Sequence, residues 1–237
     1  MSSPSALFVP EPESEPEHGA GIVKQVLESS RRPGRFVLTL ADGRAFTVPI
    51  AALSDTGATR AGVALDAAAV AHLARESAVT DVVDRAVNAL ARGRKTRREL
   101  ELRLRRHQPD RALVADALDR LAASGVLSDE EVALAEAAAR LRRGEAPSHV
   151  RQVLRRKGVE GRMAQDAVSI AISHDGFDEA QACRELAEKR GRALANQPPA
   201  IARRRLVGFL QRRGFSGHVI SQVLRDVLAT MGDDGHE

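Results

Sequence analysis

The 237-residue sequence contains neither tryptophan nor tyrosine and has only six phenylalanines. Its apolar residues are mainly alanine, leucine and valine, which suit closely crossing helices better than they suit sheets. The lack of tyrosine and tryptophan also argues against base stacking as the main way of holding a single-stranded nucleic acid. We therefore expect a mainly helical protein.

Cysteine is almost absent as well, because Cys183 is the only one in the sequence. A single cysteine excludes an internal disulfide framework and an all-cysteine metal cluster, and it is typical of a reducing compartment. We interpret Cys183, which lies in a helical pattern, as a structural thiol. The sequence has no run of about 18 apolar residues and no basic-then-apolar leader. We therefore expect a cytoplasmic protein with no membrane partner.

Basic residues outnumber acidic residues once the first 20 residues are set aside. That segment, MSSPSALFVPEPESEPEHGA, has four glutamates and no lysine or arginine, and its alternation of proline with glutamate and serine predicts a disordered acidic tail over 1–20. The remaining chain has 36 basic and 28 acidic residues, a net charge of +8. Such a surplus favours partners that carry phosphates or acidic surfaces.

Residues 21–78 are predicted to form a small β-rich region with a connecting helix. Alternating apolar residues in IVKQVLESS and RFVLTLADGRAFTVPI indicate a β-hairpin within a sheet of about three strands. Asp42-Gly43 between two of these strands is a strong hairpin signal. Helical periodicity then begins near Leu65, with Asp66 placed to cap the helix.

The rest of the sequence contains an internal repeat. When Leu100, Val150 and Leu206 are aligned, the next eighteen positions run without a gap. Each copy gives a helix with basic residues at its end, a short break, and a second helix whose apolar residues form one stripe. The second and third breaks contain Gly158 and Gly214, which can take the left-handed conformation just past a helix end.

A further helix start precedes each of these helix pairs, so the repeating unit has three helices. The predicted capping residues of these first helices are Thr80, Ser128 and Asp178. Those of the last helices are Asp110, Glu160 and Ser216, of which glutamate is the poorest cap. We predict an elongated array of three tandem three-helix repeats. The repeats cover residues 79–127, 128–174 and 175–229, and a disordered C-terminal end follows over 230–237.

Basic side chains gather at the helix ends of the repeats. Cations near a helix C-terminus stabilise the helix by about 0.3–1 kcal/mol each through the helix dipole. For any single basic cluster, this stabilisation is an alternative explanation to a binding role. The dipole cannot explain Arg94 to Arg98, because they stand at the start of a helix, where positive charge is unfavourable. We predict that the basic residues contact phosphates or an acidic protein surface. They are Arg94, Lys95, Arg97, Arg98, Arg103, Arg105, Arg106, Arg151, Arg155, Arg156, Lys157, Arg203, Arg204, Arg205, Arg212 and Arg213.

Signatures of catalysis are weak or absent in the sequence. Lys95-Thr96 resembles the last two residues of a phosphate-binding loop, but the glycine that precedes the lysine in that motif is missing, and so is the preceding strand. The seven histidines show no metal-ligand spacing, and spacing alone nominates no Ser, His and Asp set. We therefore expect no enzymatic activity, no cofactor and no metal site.

Two segments resemble the RecX family of regulators of the RecA recombinase. They are GVLSDEEVALAEAAARLRRGEAPSHVRQVLRRKGV, residues 125–159, and RRRLVGFLQRRGF, residues 203–215. The N-terminal hairpin looks like an extension of some longer members, so the likeness spans about residues 21–228. Val126 and Val132 stand where family members usually have an aromatic residue, which bears on the packing between the first and second repeats. The matching positions are Gly125, Leu127, Asp129, Arg140, Gly144, Leu154, Lys157, Gly158, Arg213, Gly214 and Phe215.

The resemblance implies a non-enzymatic modulator seated in the groove of the RecA–DNA filament. There it would inhibit ATP hydrolysis and strand exchange, and so modulate DNA repair and the SOS response. The implied partners are the RecA filament and single-stranded DNA, with double-stranded DNA as a second candidate, bound largely without sequence preference. We expect a monomer, because the unlike ends of the repeats resemble capped termini.

Two alternatives stay open. A helical nucleic-acid-binding protein, such as a repressor, would act without RecA, although no repeat presents Asn, Gln and Arg arranged to read base edges. A helical scaffold that binds another protein would show neither DNA binding nor an effect on the filament.

Overall fold

The computed structural model describes residues 19–233, with side chains described as far as residue 226. Within this range the chain forms ten helices and four strands, so it is mainly helical with a small N-terminal sheet, as predicted. The predicted acidic tail lies outside the described residues except for residues 19 and 20. Of the predicted C-terminal end, residues 230–233 belong to the last helix and the remainder lies outside the described residues.

The sheet is antiparallel and has one strand more than predicted. The strands are β1 (Gly21–Glu28), β2 (Arg35–Leu40), β3 (Ala45–Pro49) and β4 (Ala64–Leu65), in the order β3-β2-β1-β4. The expectation of about three strands missed β4, because two residues are too few to show an alternating pattern. The predicted hairpin between β2 and β3 is confirmed, with Gly43 in the left-handed region at φ +91°.

Two helices cover the sheet: α1 (Ile50–Asp55) and the first half of α2 (Ala67–Leu90). Asp66 caps α2 as predicted, since its Oδ1 accepts a hydrogen bond from the Ala69 amide at 2.7 Å. The predicted helix start at Thr80 is wrong. Thr80 is buried in the middle of α2, and no glycine or proline lies between residues 67 and 90 to end the helix.

Eight further helices follow, and they correspond to the other helices of the predicted repeats. Ser128, Asp178, Asp110 and Ser216 each accept a hydrogen bond from a backbone amide in the next turn, as predicted, whereas Glu160 makes no side-chain cap. The helices are α3 (Arg97–Leu104), α4 (Arg111–Ala123), α5 (Asp129–Leu141), α6 (Pro147–Arg156), α7 (Gly161–Asp175), α8 (Glu179–Arg192), α9 (Pro199–Arg212) and α10 (Gly217–Asp233).

The described chain divides into two compact units. The first unit contains residues 19–88 and 107–117, and the second unit contains residues 89–106 and 118–233. The first unit has its core between the sheet and the helices that cover it. In the second unit, α5 to α7 enclose one apolar cluster and α8 to α10 enclose another. All sixteen predicted site residues lie in the second unit.

Candidate interaction surface on the repeats

The N-terminus of α3 is seated on the C-terminal turn of α6. Thr96 caps α3 and is completely buried, and its Oγ1 donates a 2.6 Å hydrogen bond to the Lys157 carbonyl oxygen. Thr96 Oγ1 also accepts a hydrogen bond from the Glu99 amide at 3.2 Å, and the Glu99 carboxylate accepts one from the Thr96 amide at 3.0 Å. Thr96 and Glu99 therefore form a capping box that also fixes one repeat to the next.

The N-terminus of α6 likewise contacts the C-terminal end of α9, through a backbone amide and a serine hydroxyl. Ala146, which the repeat alignment places opposite Thr96, donates its amide to the Arg213 carbonyl oxygen at 3.1 Å. Ser148 Oγ donates to the Gly214 carbonyl oxygen at 2.7 Å. The helices α9, α6 and α3 thus follow one another head to tail, and we call them the helix row. At each junction the negative end of one helix dipole faces the positive end of the next.

Gly158 and Gly214 stand at these two junctions. Both have the predicted left-handed conformation, at φ +91° and +88°. In addition, a Cβ at Gly158 would lie 2.5 Å from Arg98 Cβ, and a Cβ at Gly214 would overlap His149. Sequence reasoning supplied the helix-capping role of these glycines, and the structure adds the close approach of the next helix.

Three arginines recur at the same position of the helix row. Arg106, Arg156 and Arg212 occupy equivalent places at the C-terminal ends of α3, α6 and α9, and all three are exposed. The aligned carbonyl oxygens of Lys157 and Arg213 accept a hydrogen bond at the two junctions, from a threonine hydroxyl at one and from a backbone amide at the other. The three arginines therefore recur once per repeat along the row. Among residues 19–226 none of them has an ion-pair partner in the protein, so their charges are free to meet an external anion.

Other predicted site residues already have partners within the second unit. Arg97 pairs with Asp119 at 2.7 Å, and Lys157 Nζ lies 3.3 Å from Glu136 and 3.8 Å from Glu99. The positive charge at the start of α3 is thus partly met inside the protein rather than outside it. Further contacts involve Arg98 packed on Gly158, Arg105 at 3.9 Å from Glu101, Arg205 at 3.4 Å from Gln197, Arg213 over the Phe209 ring, and Arg151 near Glu179.

The remaining predicted residues have no ion-pair partner in the described part of the chain. They join the recurring arginines as the candidate contacts of the second unit, and they are Arg94, Lys95, Arg103, Arg155, Arg203 and Arg204.

A chain of ion pairs, which sequence reasoning missed, stabilises the same region. Arg140 donates to Glu136 at 2.6 Å and to Glu145 at 2.8 Å, and Glu136 also meets Lys157. Burial acts to raise the pKa of Glu136, but the hydrogen bond from Arg140 and the charge of Lys157 outweigh it and hold that pKa below its ordinary value. The spacing of Glu136 and Arg140, four residues apart on a helix, was the available signal.

Within the described residues, no helix is long and apolar enough to cross a membrane. The same residues include no group of three or more His, Cys, Asp or Glu side chains placed to hold a metal ion.

Comparison with known proteins identifies the family. The family model for the third three-helix domain of RecX matches residues 178–224, which begin at the N-cap of α8 and end within α10. A regulatory protein RecX of Acidithiobacillus ferrooxidans is 39% identical over 142 residues, covering 59% of this chain and 85% of that relative. The chain belongs to the RecX family. The RecX protein of Deinococcus radiodurans is 35% identical over 144 residues, which cover 60% of this chain and 66% of that relative.

Two solved structures of RecX proteins share the fold. One crystal structure of a regulatory protein RecX superposes with a TM-score of 0.69 at 22% identity, covering 86% of this chain and 99% of that one. The structure of RecX from Lactobacillus salivarius superposes with a TM-score of 0.54 at 19% identity, covering 63% of this chain and 96% of that one. The relatives are named regulatory proteins, and the two solved structures share the fold of this chain.

Proposed function

We propose that this chain is a non-enzymatic regulator that binds the RecA–DNA filament in its groove and inhibits ATP hydrolysis and strand exchange. In this role it modulates DNA repair and the SOS response. Membership of the RecX family supports the assignment, and the helix row of the second unit is the surface that we propose for the contact. The proposed partners are the RecA filament and single-stranded DNA, with double-stranded DNA as a second candidate.

The observation that carries this proposal is the recurrence of Arg106, Arg156 and Arg212 at equivalent exposed positions. A filament on DNA is itself a periodic array of negative charges, and a periodic row of cations can meet several of them at once. Arginine pairs with phosphates and carboxylates in a forked geometry, so these contacts need no particular base sequence. Binding through such contacts weakens as salt concentration rises, because it releases counterions from the nucleic acid.

The test is ATP hydrolysis by the cognate RecA on single-stranded DNA while this protein is titrated in below one copy per recombinase. We expect strong inhibition by the unchanged protein, and a loss of about tenfold or more in potency for the triple variant R106E/R156E/R212E. The variant K24E/R31E/R60E is the charge-matched control, because these three cations are exposed in the first unit. Equal inhibition by all three proteins would refute the role of the helix row.

The same surface also fits a second function, a helical nucleic-acid-binding protein that acts without RecA. The exposed arginines favour it equally, since any phosphate backbone would satisfy them. This second function predicts salt-sensitive DNA binding by the protein alone together with no change in RecA ATP hydrolysis. The titration of RecA therefore separates the two functions.

A further inference from the structure

An apolar groove with an acidic rim lies on the middle repeat, between α5 and α7. It encloses about 270 Å³. Leu134 and Ile170 line it and are 38% and 51% exposed, although both are large apolar side chains. The other apolar lining residues are Met163 and Ala167. Two of the eight large apolar side chains that are exposed among the described residues thus lie together in one concave site, which is typical of a place where a partner docks.

In the third repeat, an ion pair occupies the positions equivalent to Leu134 and Ile170. Aligning the N-caps of α5 and α8 places Arg184 opposite Leu134, and the repeat alignment places Asp226 opposite Ile170. Arg184 and Asp226 form an ion pair of 2.8 Å between α8 and α10. The fold of a repeat therefore does not require apolar residues at these two positions. The apolar pair of Leu134 and Ile170 therefore distinguishes the middle repeat from the third repeat.

The charges around the groove indicate which class of partner fits it. Its rim carries three carboxylates, Glu130, Glu160 and Asp166, and one cation, Arg162. Among residues 19–226 none of these carboxylates has an ion-pair partner. An acidic rim repels a nucleic acid and attracts lysine or arginine, in contrast to the basic ends of the helix row.

We propose that this groove docks a protein segment in which a large apolar side chain stands among lysines or arginines. The apolar side chain enters between Leu134 and Ile170, and the neighbouring cations meet the carboxylates of the rim. The inference rests on the proposed function in one respect, since it assigns the segment to the RecA protomer. In this arrangement the helix row binds DNA or an acidic surface, and the groove binds a basic protein segment.

The test introduces the ion pair of the third repeat at the equivalent positions of the groove by a double substitution. The variant L134R/I170D reproduces the Arg184–Asp226 pair at the equivalent positions, so it replaces the apolar lining with an arrangement that the fold already accommodates. The probes are cognate RecA without DNA and a fluorescent oligothymidine without RecA. We expect about tenfold or more weaker RecA binding, because interface energy concentrates on central apolar anchors, while oligothymidine binding stays within about twofold. The control L27R/I50D makes the same chemical changes at two exposed apolar residues of the first unit and should bind RecA normally.

A second variant tests the rim separately. E130Q/D166N keeps the shape of the groove and removes two charges, so it should weaken RecA binding and reduce its dependence on salt concentration. The proposal is wrong if L134R/I170D binds RecA as the unchanged protein does, or if it loses oligothymidine binding to the same extent. It is also wrong if sedimentation shows that the variant loses only self-association, since the occupant is then a second copy of the chain. If the unchanged protein does not bind RecA at all, the proposed regulation of RecA fails first and this assignment fails with it.

Discussion

Thr96 and Lys157, 61 residues apart in the chain, are joined by a 2.6 Å hydrogen bond from the threonine hydroxyl to the lysine carbonyl oxygen. The bond links the start of α3 to the end of α6. Because Ala146 and Arg213 make the aligned contact with the backbone amide alone, the junction is a property of the repeat. The position of Arg106 relative to Arg156 depends on this junction, because it joins the helices that carry them.

Replacing Thr96 with valine should destabilise the second unit more than the loss of an ordinary helix cap. The change keeps the shape of the side chain but leaves the Lys157 carbonyl and the Glu99 amide without their partner, at a cost of about 2 kcal/mol in unfolding free energy. Urea unfolding of both proteins measures this cost. Ser128→Ala is the control, because Ser128 caps α5 through one amide, and its loss should cost about 1 kcal/mol. Equal losses in the two variants would show that the contact with Lys157 contributes nothing.

Gly158→Ala should cost more stability than a glycine substitution at an equally left-handed position in open space. Gly158 combines φ +91° with Arg98 atoms 2.5 Å from the position of an added Cβ. Gly176 has φ +61°, and an added Cβ there meets nothing within 4 Å. Gly176→Ala should therefore lose about 1 kcal/mol from backbone strain alone, and Gly158→Ala should lose about 2–3 kcal/mol. Similar urea midpoints for the two variants would contradict the close approach at the junction.

The protein should lose stability in acid in part because the ion pairs of Glu136 are lost when its carboxylate is protonated. Since the pKa of Glu136 is lower in the folded state, its contribution is fully present above its ordinary value of 4.5 and is lost as the pH falls through the folded value. Glu136→Gln should lower stability by about 1 kcal/mol at neutral pH and should flatten the decline of stability below pH 4.5. Glu188→Gln removes an exposed carboxylate with no partner in the described residues and should change neither. Parallel pH profiles for Glu136→Gln and the unchanged protein would rule the contribution out.

Much of the fold could be predicted from the sequence because local chemistry determines it. The strands of the hairpin, the caps at Ser128 and Asp178 and the left-handed Gly158 all depend on neighbouring residues, which the sequence shows directly. The misplaced helix start at Thr80 has the opposite cause. The local preference of a threonine for a helix start does not interrupt a helix when no glycine or proline precedes it and the helix packs against other elements on both sides of it.

The candidate site was predictable in its charge but not in its geometry. The repeat alignment located Arg106, Arg156 and Arg212 as members of basic clusters, yet it could not separate them from Lys157, which the fold places beside Glu136 and Glu99. That distinction depends on contacts between residues far apart in the chain, and periodicity carries no information about such contacts. The groove at Leu134 and Ile170 was missed for the same reason, because its two sides come from different helices.

Cys183 should be unreactive in the folded protein. Its side chain is completely buried, and burial together with the negative charge of Glu179 raises the pKa of its thiol to about 11. Only the thiolate reacts readily with disulfide reagents, so modification by a thiol-specific reagent at pH 8 should need unfolding first. We expect a slow reaction in buffer and rapid, complete labelling in urea. Rapid labelling in buffer would show that α8 opens frequently in the folded state.

Val126→Phe should stabilise the protein by filling a space beside the first turn of α5. A cavity of about 160 Å³ is lined by Val126, Leu127, Val132 and Leu90, at positions that include the two where the resemblance to RecX proteins leads one to expect aromatic residues. Val126 is 52% exposed, so a phenylalanine can enter the cavity without displacing a core side chain. Burying the added ring atoms against these residues should raise the unfolding free energy by about 1 kcal/mol. Val87→Phe enlarges a valine that is 43% exposed on α2 and does not line this cavity, and it should leave stability unchanged. If the two variants unfold at the same urea concentration, the valines fill their site as well as an aromatic residue would.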